Sequence, residues 1–599
     1  MGEPSPVVPP SAQASADRLD SWKEIAAYLN RDVTTVQRWE KREGMPVHRH
    51  LHDKRGSVYA LGSELDAWRQ NRRSRLDEEE EDDLNAEAAV HEDLDGKPKP
   101  ASPVHNWFLL AAVVLIALVG VAYIAIRNRV REAARPKIAS IAVLPLKNLS
   151  GDATQEYLAD GMTEELIGRL SAIRGLRVIS RTSAMHFKDP HLSAPEIAKT
   201  LHVDALVEGS VIREGRRVRV HAQLIRAASD EHFWSETYDR DLQDALALES
   251  EVAQAIARKV EVTVTGEERG RLVAAARQVS PDVYESYLKG KFAFGKGNSR
   301  TEIEKSIVYL EDTINRDPTF APAYVGLANA YLELSSVFIG APPEDARAKA
   351  MSAARKALEL DPALAEAHIM LAGLYQIEFD WAEAETEYRR ALELTPGTAA
   401  AQMGYAGWLL SQGRIEESLT WAQRAREYDP LAVSGGEIGW ILFFGRRYDE
   451  AIREYRSALA VDPDDTRVLE VLGIALMAKG QPEEAIAPLE TVISVTHGSP
   501  AACGLLIRAF AHAGRRNDAL RLLRELKGRR RAGYVPAAAF VDSYLGLGDT
   551  DQAFDWFELA YREQSFSLQF LKVSPFLDPI RSDPRLADLV HRVGLDKEY

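Results

Sequence analysis

The sequence predicts a multidomain chain: a small winged helix-turn-helix unit, one transmembrane helix, an α/β domain and an all-α solenoid of repeats. Three observations predict this division. Residues 18–75 hold thirteen Lys and Arg against eight Asp and Glu, although the 599-residue chain has a net charge of −16. Residues 107–126 contain no charged side chain, and small residues recur at a constant interval between residues 350 and 553. A charge reversal, one apolar run and a long period indicate separate units.

The composition limits the chemistry that the chain can perform. It is 46% hydrophobic and 27% charged, as expected of globular domains. Cys503 is the only cysteine, which excludes intrachain disulfides and cysteine-based zinc sites. The sequence holds no P-loop, dinucleotide fingerprint, nucleophile elbow, kinase signature or cyclase signature. We therefore expect no enzyme activity, no catalytic residue, no cofactor and no metal.

Two short helices are predicted after a Pro-rich, Ser-rich and Ala-rich leader, residues 1–17, which we expect to be disordered. Ser21 and Glu24 form a capping box at the start of the first helix. Thr34 and Gln37 form the same pattern at the start of the second. Two capped helices around a tight turn have the geometry of a helix-turn-helix.

The second helix carries the residues that we expect to contact DNA. Val36 and Trp39 share its inward face, which leaves a polar and basic face outward. In a helix-turn-helix the second helix enters the major groove, where Gln pairs with adenine, Arg with guanine, and Lys with phosphate. The predicted DNA contacts are Thr35, Gln37, Arg38, Lys41, Arg42, Arg49, Lys54 and Arg55.

Residues 18–75 as a whole resemble a known class of DNA binder. The turn "DKRG" at residues 53–56 lies between two alternating runs, which predicts a hairpin wing, and Ser63 begins a last helix. With "VTTVQRWEKREGMP" as the specific part, the segment resembles the winged helix of MerR-type and excisionase-type proteins. The resemblance implies DNA binding. The alternative is a small charged helical domain that binds protein.

A tether and a membrane span follow. Residues 76–106 hold eleven acids against two lysines, which predicts a flexible linker. The alternative is that these acids compete with DNA for the basic N-terminal unit. Residues 107–126, "WFLLAAVVLIALVGVAYIAI", are long enough as a helix to cover about 30 Å, the thickness of a bilayer core. Trp107 and Tyr123 near its ends favour a transmembrane helix. The chain holds no second run of this length, so we expect a single pass.

Two observations predict opposite orientations for this transmembrane helix. Five cations follow it, namely Arg127, Arg129, Arg131, Arg135 and Lys137, and by the positive-inside rule they place the C-terminal region in the cytoplasm. The N-terminal unit, however, meets DNA only in the cytoplasm, and long C-terminal domains translocate with little regard to charge. We therefore expect an inner-membrane protein with a cytoplasmic N-terminus and an extracytoplasmic C-terminal region.

Residues 138–265 predict an α/β domain with the element order β-α-β-α-β-β-β-α. The segments "IAVLPLKNLSGD", "VISRTS", "ALVEGSVIREGRRVRVHAQLI" and "HFWSETYDRDL" are similar to the FlgO-like, TolB N-terminal-like domain. That resemblance implies binding or assembly rather than catalysis. Asp160 and Glu164 share one helix face, where we expect them to act as a cap and a solvated surface.

Residues 284–599 predict a solenoid with a C-terminal cap at 576–599. Small residues recur every 33 or 34 positions, at Ala350, Ala384, Ser418, Ala451, Ala485, Ala519 and Ala553. This is the tetratricopeptide period, and seven or eight repeats fit the segment, with an inserted loop around 335–349. Such repeats are identified with protein or peptide binding in a concave groove; the alternative is a spacer or an oligomerisation platform.

The assembled order resembles membrane-anchored, ToxR-like one-component regulators. Their DNA-binding domain is usually an OmpR-type winged helix, so this chain differs from them in the type of its DNA-binding domain. The resemblance implies a transcriptional regulator that binds DNA inside the cell, as a homodimer, and senses or assembles outside it. The alternative is a non-catalytic scaffold or envelope assembly protein whose N-terminal unit binds protein.

Overall fold

The computed structural model describes residues 18–49, 58–69, 138–188, 192–262, 264–266, 268–270, 278–296, 299–334, 343–431, 436–460 and 462–597. The chain divides into two compact units, one within residues 1–134 and one within residues 135–599. The predicted leader, the acidic tether and the apolar span at 107–126 lie outside the described residues. Among the residues described, none of the helices combines the length and apolarity that a bilayer crossing requires.

The first unit combines short helices with a small antiparallel sheet. Its elements are β1 (Arg18–Leu19), α1 (Trp22–Tyr28), α2 (Val33–Glu43), β2 (His48–Arg49), β3 (Val58–Leu61) and a helix α3 over residues 62–69. The strand order is β1-β3-β2, with His48 opposite Tyr59. Two helices, a strand pair and a last helix therefore follow in the predicted order. Strand β1 is an addition that the sequence did not predict.

A compact core holds these elements together. Ile25 of α1, Val36 of α2 and Leu65 of α3 are completely buried. The predicted cap of α1 is confirmed, because the Ser21 hydroxyl accepts the Glu24 N–H at 3.3 Å. The Glu24 carboxylate in turn accepts the Asp20 N–H at 2.9 Å. Burial of one face of each helix thus fixes which face remains outward.

The second unit begins with the predicted α/β domain. Its elements are β4 (Ser140–Val143), β5 (Lys147–Asn148), α4 (Glu156–Ser171), β6 (Arg177–Val178), α5 (Arg181–Met185), α6 (Ala194–Leu201), β7 (Ala205–Glu214), β8 (Arg217–Arg226), β9 (Glu231–Asp241) and α7 (Ala245–Lys259). The sheet order is β6-β4-β7-β8-β9, with β5 beside β7. Strand β4 runs parallel to β6 and β7, while β7, β8 and β9 form an antiparallel meander. A tight turn at Gly215, where φ is 61°, joins β7 to β8.

Helix pairs follow the α/β domain in the second unit. They are α8 (Pro281–Gly295) with α9 (Arg300–Arg316), α10 (Ala321–Leu334) with α11 (Pro343–Leu360), α12 (Ala365–Ile377) with α13 (Trp381–Leu394), α14 (Ala399–Ser411) with α15 (Ile415–Tyr428), α16 (Gly436–Phe444) with α17 (Tyr448–Leu459), α18 (Thr466–Ala478) with α19 (Pro482–Val495), α20 (Pro500–His512) with α21 (Arg516–Ala532), and α22 (Ala537–Leu547) with α23 (Thr550–Arg562). The described residues therefore hold eight pairs. The first helices of neighbouring pairs also contact one another, as in a solenoid.

The small residues that set the period lie where two helices approach each other. All seven of them, Ala350, Ala384, Ser418, Ala451, Ala485, Ala519 and Ala553, are completely buried. One detail of the predicted insertion is wrong. Helix α11 already begins at Pro343, so residues 343–349 are helical, because the acidic residues after Pro343 form a favourable first helical turn.

A buried charge network joins the α/β domain to the first repeat. The Arg169 guanidinium binds the Glu249 carboxylate at 3.0 Å, and Tyr284 of α8 donates its hydroxyl to the same carboxylate. Nearby, Lys291 of α8 binds Glu165 at 2.8 Å. Because a buried charge is tolerated only when it is paired, this network specifies how the two domains dock.

The expectation of a solvated acidic face on α4 is therefore wrong. Asp160 is only 6% exposed and accepts two hydrogen bonds from Lys188, at 2.7 and 2.8 Å. Glu164 binds Arg181 at 3.1 Å. The helical spacing of these acids is that of a surface face, but Lys188 pairs with Asp160, and Arg181 and Lys291 pair with Glu164.

Candidate nucleic-acid interface and repeat groove

Helix α2 begins at a stronger cap than the sequence predicted. Asp32 is the N-cap, and its carboxylate accepts the Thr35 N–H at 2.8 Å and the Thr34 and Thr35 hydroxyls at 2.6 and 2.7 Å. These hydrogen bonds, that of Thr34 foremost, hold the pKa of Asp32 well below its usual range. The predicted capping box at Thr34 and Gln37 is wrong, because the Thr34 hydroxyl is already bound to Asp32.

The end of α2 is also defined. Gly44 follows the helix with φ of 65°, and its N–H donates to the Trp39 carbonyl. A left-handed residue at this position is favourable for glycine, which has no Cβ. The helix is therefore capped at both ends and presents a fixed set of side chains.

The two faces of α2 differ as predicted. Val36 is completely buried, and Trp39 packs against Trp68 of α3 with ring centroids 5.6 Å apart. Arg38 and Lys41 are exposed on the helix, and neither forms an ion pair with another described residue. This exposed face is free to approach a polyanion.

The other residues that were predicted to contact DNA lie in different surroundings. Gln37 is partly exposed on α2, whereas the hydroxyl of Thr35 is committed to the Asp32 cap. Arg42 lies in α2 and Arg49 in β2, while Lys54 and Arg55 lie outside the described residues. One contact that the sequence did not predict fixes the strand beside the helices: His48 is 2.7 Å from Glu64 and stacks on Tyr59.

The second candidate surface is the groove along the first helices of the repeats, and the chain's own C-terminal segment occupies it. Residues 566–597, here named the C-terminal segment, form 3-10 turns at Phe566–Phe570 and Pro575–Ile580 and the helix α24 (Pro584–Val593). Gln376 of α12 donates to the Gln569 side chain at 2.9 Å. The Trp381 indole N–H donates to the Val593 carbonyl at 2.8 Å. The segment thus returns to the third repeat.

Aromatic and charged contacts hold the same segment against the middle repeats. Phe570 stacks on Phe444 of α16 with centroids 4.7 Å apart. Arg446 binds Asp578 at 2.8 Å. Arg508 of α20 donates to the Phe576 carbonyl at 3.1 Å and lies 3.7 Å from the centre of the Phe576 ring. One segment therefore contacts first helices from three separate repeats.

The C-terminal segment is buried as deeply as the hydrophobic core of a domain. Six of its aliphatic side chains are at most 1% exposed, namely Leu568, Leu571, Leu586, Leu589, Val593 and Leu595. They share a cluster with Trp381, Tyr405 and Trp408 of the third and fourth repeats and with Phe557 of the last. The segment covers the last repeat, as a cap does, but it also fills the groove that we expected to hold a partner.

Charges in this groove are partly desolvated. Arg508 lies 3.5 Å from Asp542 of α22. Burial raises the pKa of Asp542 to about 6 despite this arginine, and it lowers the pKa of Arg508 to about 10. Burial also raises the pKa of Glu470 on α18 to about 7. Of these groups, Arg508 contacts the C-terminal segment and anchors it.

Two known protein families match parts of the second unit. Residues 137–257 match the second domain of HilA/YgeH-like transcriptional regulators. Residues 380–432 and 437–502 match the tetratricopeptide repeat. The chain therefore contains a domain of a transcriptional regulator type and tetratricopeptide repeats. The resemblance of residues 138–265 to FlgO-like domains stays a prediction.

Individual proteins are similar to parts of the chain. "Putative adenylate cyclase 3" of Rhizobium meliloti (strain 1021) is 33% identical over 238 residues, 40% of this chain and 40% of that protein. Among solved structures, a thermophilic tetratricopeptide protein of Thermus thermophilus is 14% identical over 33% of this chain and 99% of its own, with a TM-score of 0.29. PilW, a type IV pilus biogenesis factor, is 19% identical over 34% of this chain and 92% of its own, with a TM-score of 0.28.

Replacing Leu571 with Ala tests whether the C-terminal segment is part of the core. Leu571 is 1% exposed, so truncation leaves a cavity and is expected to lower the free energy of unfolding by about 2–5 kcal/mol. Urea unfolding of the full chain, followed by tryptophan fluorescence, measures the change. Leu520→Ala is the control, because Leu520 is 39% exposed and its loss creates no cavity. Equal midpoints for the two variants would contradict the packing described.

Proposed function

We propose that the chain is a transcriptional regulator that binds DNA through a winged helix-turn-helix in residues 18–75. The observation that carries this proposal is the exposed pair Arg38 and Lys41 on a doubly capped helix whose other face is buried. In this class of fold the second helix enters the major groove, Arg binds guanine bidentately, and Lys binds phosphate. The match of residues 137–257 to a domain of transcriptional regulators supports the same direction.

We further propose that two copies act together on DNA. A single short basic helix makes few base contacts, and helix-turn-helix proteins generally bind as dimers to half-sites one helical turn apart. The N-terminal unit is small, with a core built around Ile25, Val36 and Leu65, so affinity gained from a second copy matters.

The apolar residues 107–126 are proposed as a single membrane span, with the N-terminus in the cytoplasm and residues 138–599 outside it. In this arrangement the α/β domain and the repeats sense a signal or assemble with a protein partner. Reporters fused to the C-terminus test the topology. A periplasmic reporter is expected to be active, and activity of a reporter that works only in the cytoplasm would reverse the arrangement.

We propose a binding role rather than catalysis for the second unit. A buried polar cluster around Arg169 and Glu249 is used to dock the α/β domain on α8. The name of the Rhizobium meliloti relative refers to a cyclase, and this chain matches 40% of that protein. Formation of cyclic AMP from ATP by the purified chain would contradict this part of the proposal.

Neutralising Arg38 and Lys41 tests DNA binding directly. In the full chain, Arg38→Ala is expected to cost about 1–3 kcal/mol of binding free energy and to relax sequence preference at one base pair. Lys41→Ala is expected to weaken binding to all sequences and to reduce the salt dependence by about one phosphate contact. Electrophoretic mobility or anisotropy titrations over a series of salt concentrations provide both quantities.

The matched control is Lys23→Ala, which removes an exposed cation of α1 in the same unit. This variant is expected to bind DNA nearly as tightly as the unmodified chain. If the unmodified chain shows no salt-dependent affinity for duplex DNA, the regulator proposal fails. In that case the scaffold alternative, in which residues 18–75 bind protein, becomes the better account.

A further inference from the structure

Because the C-terminal segment fills the groove, the second helices of the repeats form the outer surface that a partner can reach. Helix α21 is unusual among them, because it carries seven Lys and Arg against two acids. The chain as a whole has a net charge of −16. A basic helix in an acidic protein is a surface of opposite sign to its surroundings, and such a patch attracts anionic partners.

Four of these cations form one stripe. Arg516, Arg524, Lys527 and Arg531 follow one another at i, i+8, i+11 and i+15, which places them on one helical face about 22 Å long. All four are exposed, and none forms an ion pair with a carboxylate among the described residues. Leu520, at i+4 in the same stripe, is 39% exposed.

The other cations of this region contact side chains of the protein itself. Arg515 and Arg521 both bind Asp518, at 2.9 and 3.0 Å. Arg530 lies 3.4 Å from Glu563, and Arg529 donates to the sulfur of Cys503. The stripe therefore holds four of the five α21 cations that pair with no carboxylate among the described residues, and the fifth, Arg529, contacts the Cys503 sulfur instead.

The fold leaves this stripe uncovered for an identifiable reason. Helix α22 packs along α20 and makes few contacts with α21, whereas in the other repeats the second helix packs well on the next first helix. Glycines permit this close approach: a Cβ on Gly504 would lie 2.4 Å from the Ala539 carbonyl oxygen, and one on Gly546 would lie 2.6 Å from the Arg508 Cα. Helix α21 is consequently displaced from its usual neighbour.

The stripe borders α22 on one side. The Arg516 guanidinium donates to the Leu547 carbonyl at 3.3 Å, and the Lys527 ammonium lies 5.3 Å from the Tyr544 ring. On the other side of α21, Glu525 is exposed about 100° around the helix from Arg524. The basic surface is therefore narrow and long, one helix face wide.

We propose that this stripe on α21 docks an acidic segment of a partner protein, with carboxylates spaced along a helix or an extended chain. Three of the four cations are Arg, whose planar fork binds carboxylates bidentately. The inference rests on the part of the proposed function that gives the repeats a protein partner, and not on DNA binding by residues 18–75. It also moves the partner from the filled groove to the outer surface.

The shape and surroundings of the stripe favour a protein over other polyanions. A DNA duplex presents two charged strands and is matched by a broad basic surface, whereas this stripe is bounded by Glu525 and lies in a chain of net charge −16. An anionic membrane surface is bound by helices that also bury an apolar face. Here Leu520 is the one large apolar side chain of the stripe.

A direct binding measurement tests the proposal in the full chain. The probe is a fluorescein-labelled poly-glutamate peptide of about sixteen residues, which as a helix spans the stripe. Anisotropy titrations compare the unmodified chain with the variant Arg516→Ala, Arg524→Ala, Lys527→Ala and Arg531→Ala. We expect binding that weakens as ionic strength rises from roughly 0.05 to 0.2 M, and a dissociation constant at least about tenfold higher for the variant.

The matched control removes the same number of exposed cations from other second helices. It is Arg300→Ala, Arg390→Ala, Arg453→Ala and Arg456→Ala, and its dissociation constant is expected within about twofold of the unmodified chain. Absence of peptide binding at low salt, or an equal loss in both variants, would overturn the proposal. Preferential loss of duplex DNA or anionic vesicle binding in the stripe variant would assign the surface to that partner class instead.

The outcomes separate this inference from the proposed function. Arg38→Ala with Lys41→Ala removes the DNA contacts proposed for α2 and is expected to leave peptide binding unchanged. The stripe variant is expected to leave DNA binding by the N-terminal unit unchanged. Each surface therefore stands or fails on its own measurement.

Discussion

The second unit depends on the packing of the C-terminal segment into the groove of its own repeats. In an open solenoid each repeat contacts only its neighbours, so its stability is a sum of local terms. Here Gln569 and Val593 bond to Gln376 and Trp381, which lie about two hundred positions earlier in the chain. These contacts link the C-terminal segment to the third repeat, and they convert a series of local interfaces into one cooperative structure.

The same constraint determines where function can lie. A groove filled by side chains that are at most 1% exposed is unavailable to a second ligand in this state, so recognition is left to outer surfaces. The α/β domain is committed to the first repeat through Arg169, Glu249 and Tyr284. Outward basic surfaces among the described residues include the stripe on α21 and, in the separate N-terminal unit, the exposed face of α2. The two basic surfaces differ in form, because the first is the exposed face of a short capped helix and the second is a long narrow stripe.

Local and periodic features were predictable from the sequence, and long-range ones were not. The burial of Ala384 and its equivalents follows from the repeat period, and the inward side of α2 follows from Val36 and Trp39. The cap at Asp32 was missed because Thr34 and Gln37 have the spacing of a capping box. The burial of Asp160 depends on Lys188, and that of Leu571 on repeats far earlier in the chain. One signal was available for the second case: a terminal segment with Leu568, Leu571, Leu586 and Leu589 is too apolar to remain on a surface.

The central claim is that the C-terminal segment belongs to the folded core of the repeats. Hydrogen exchange of the full chain, followed by mass spectrometry of peptic peptides, measures this most directly. The account predicts that helical amides within 584–593 exchange as slowly as those of α12 and α14, because all of them open only when the groove opens. Fast exchange throughout 566–597, with slow exchange retained in α12 and α14, would contradict it. That result would return the groove to the role of a partner site.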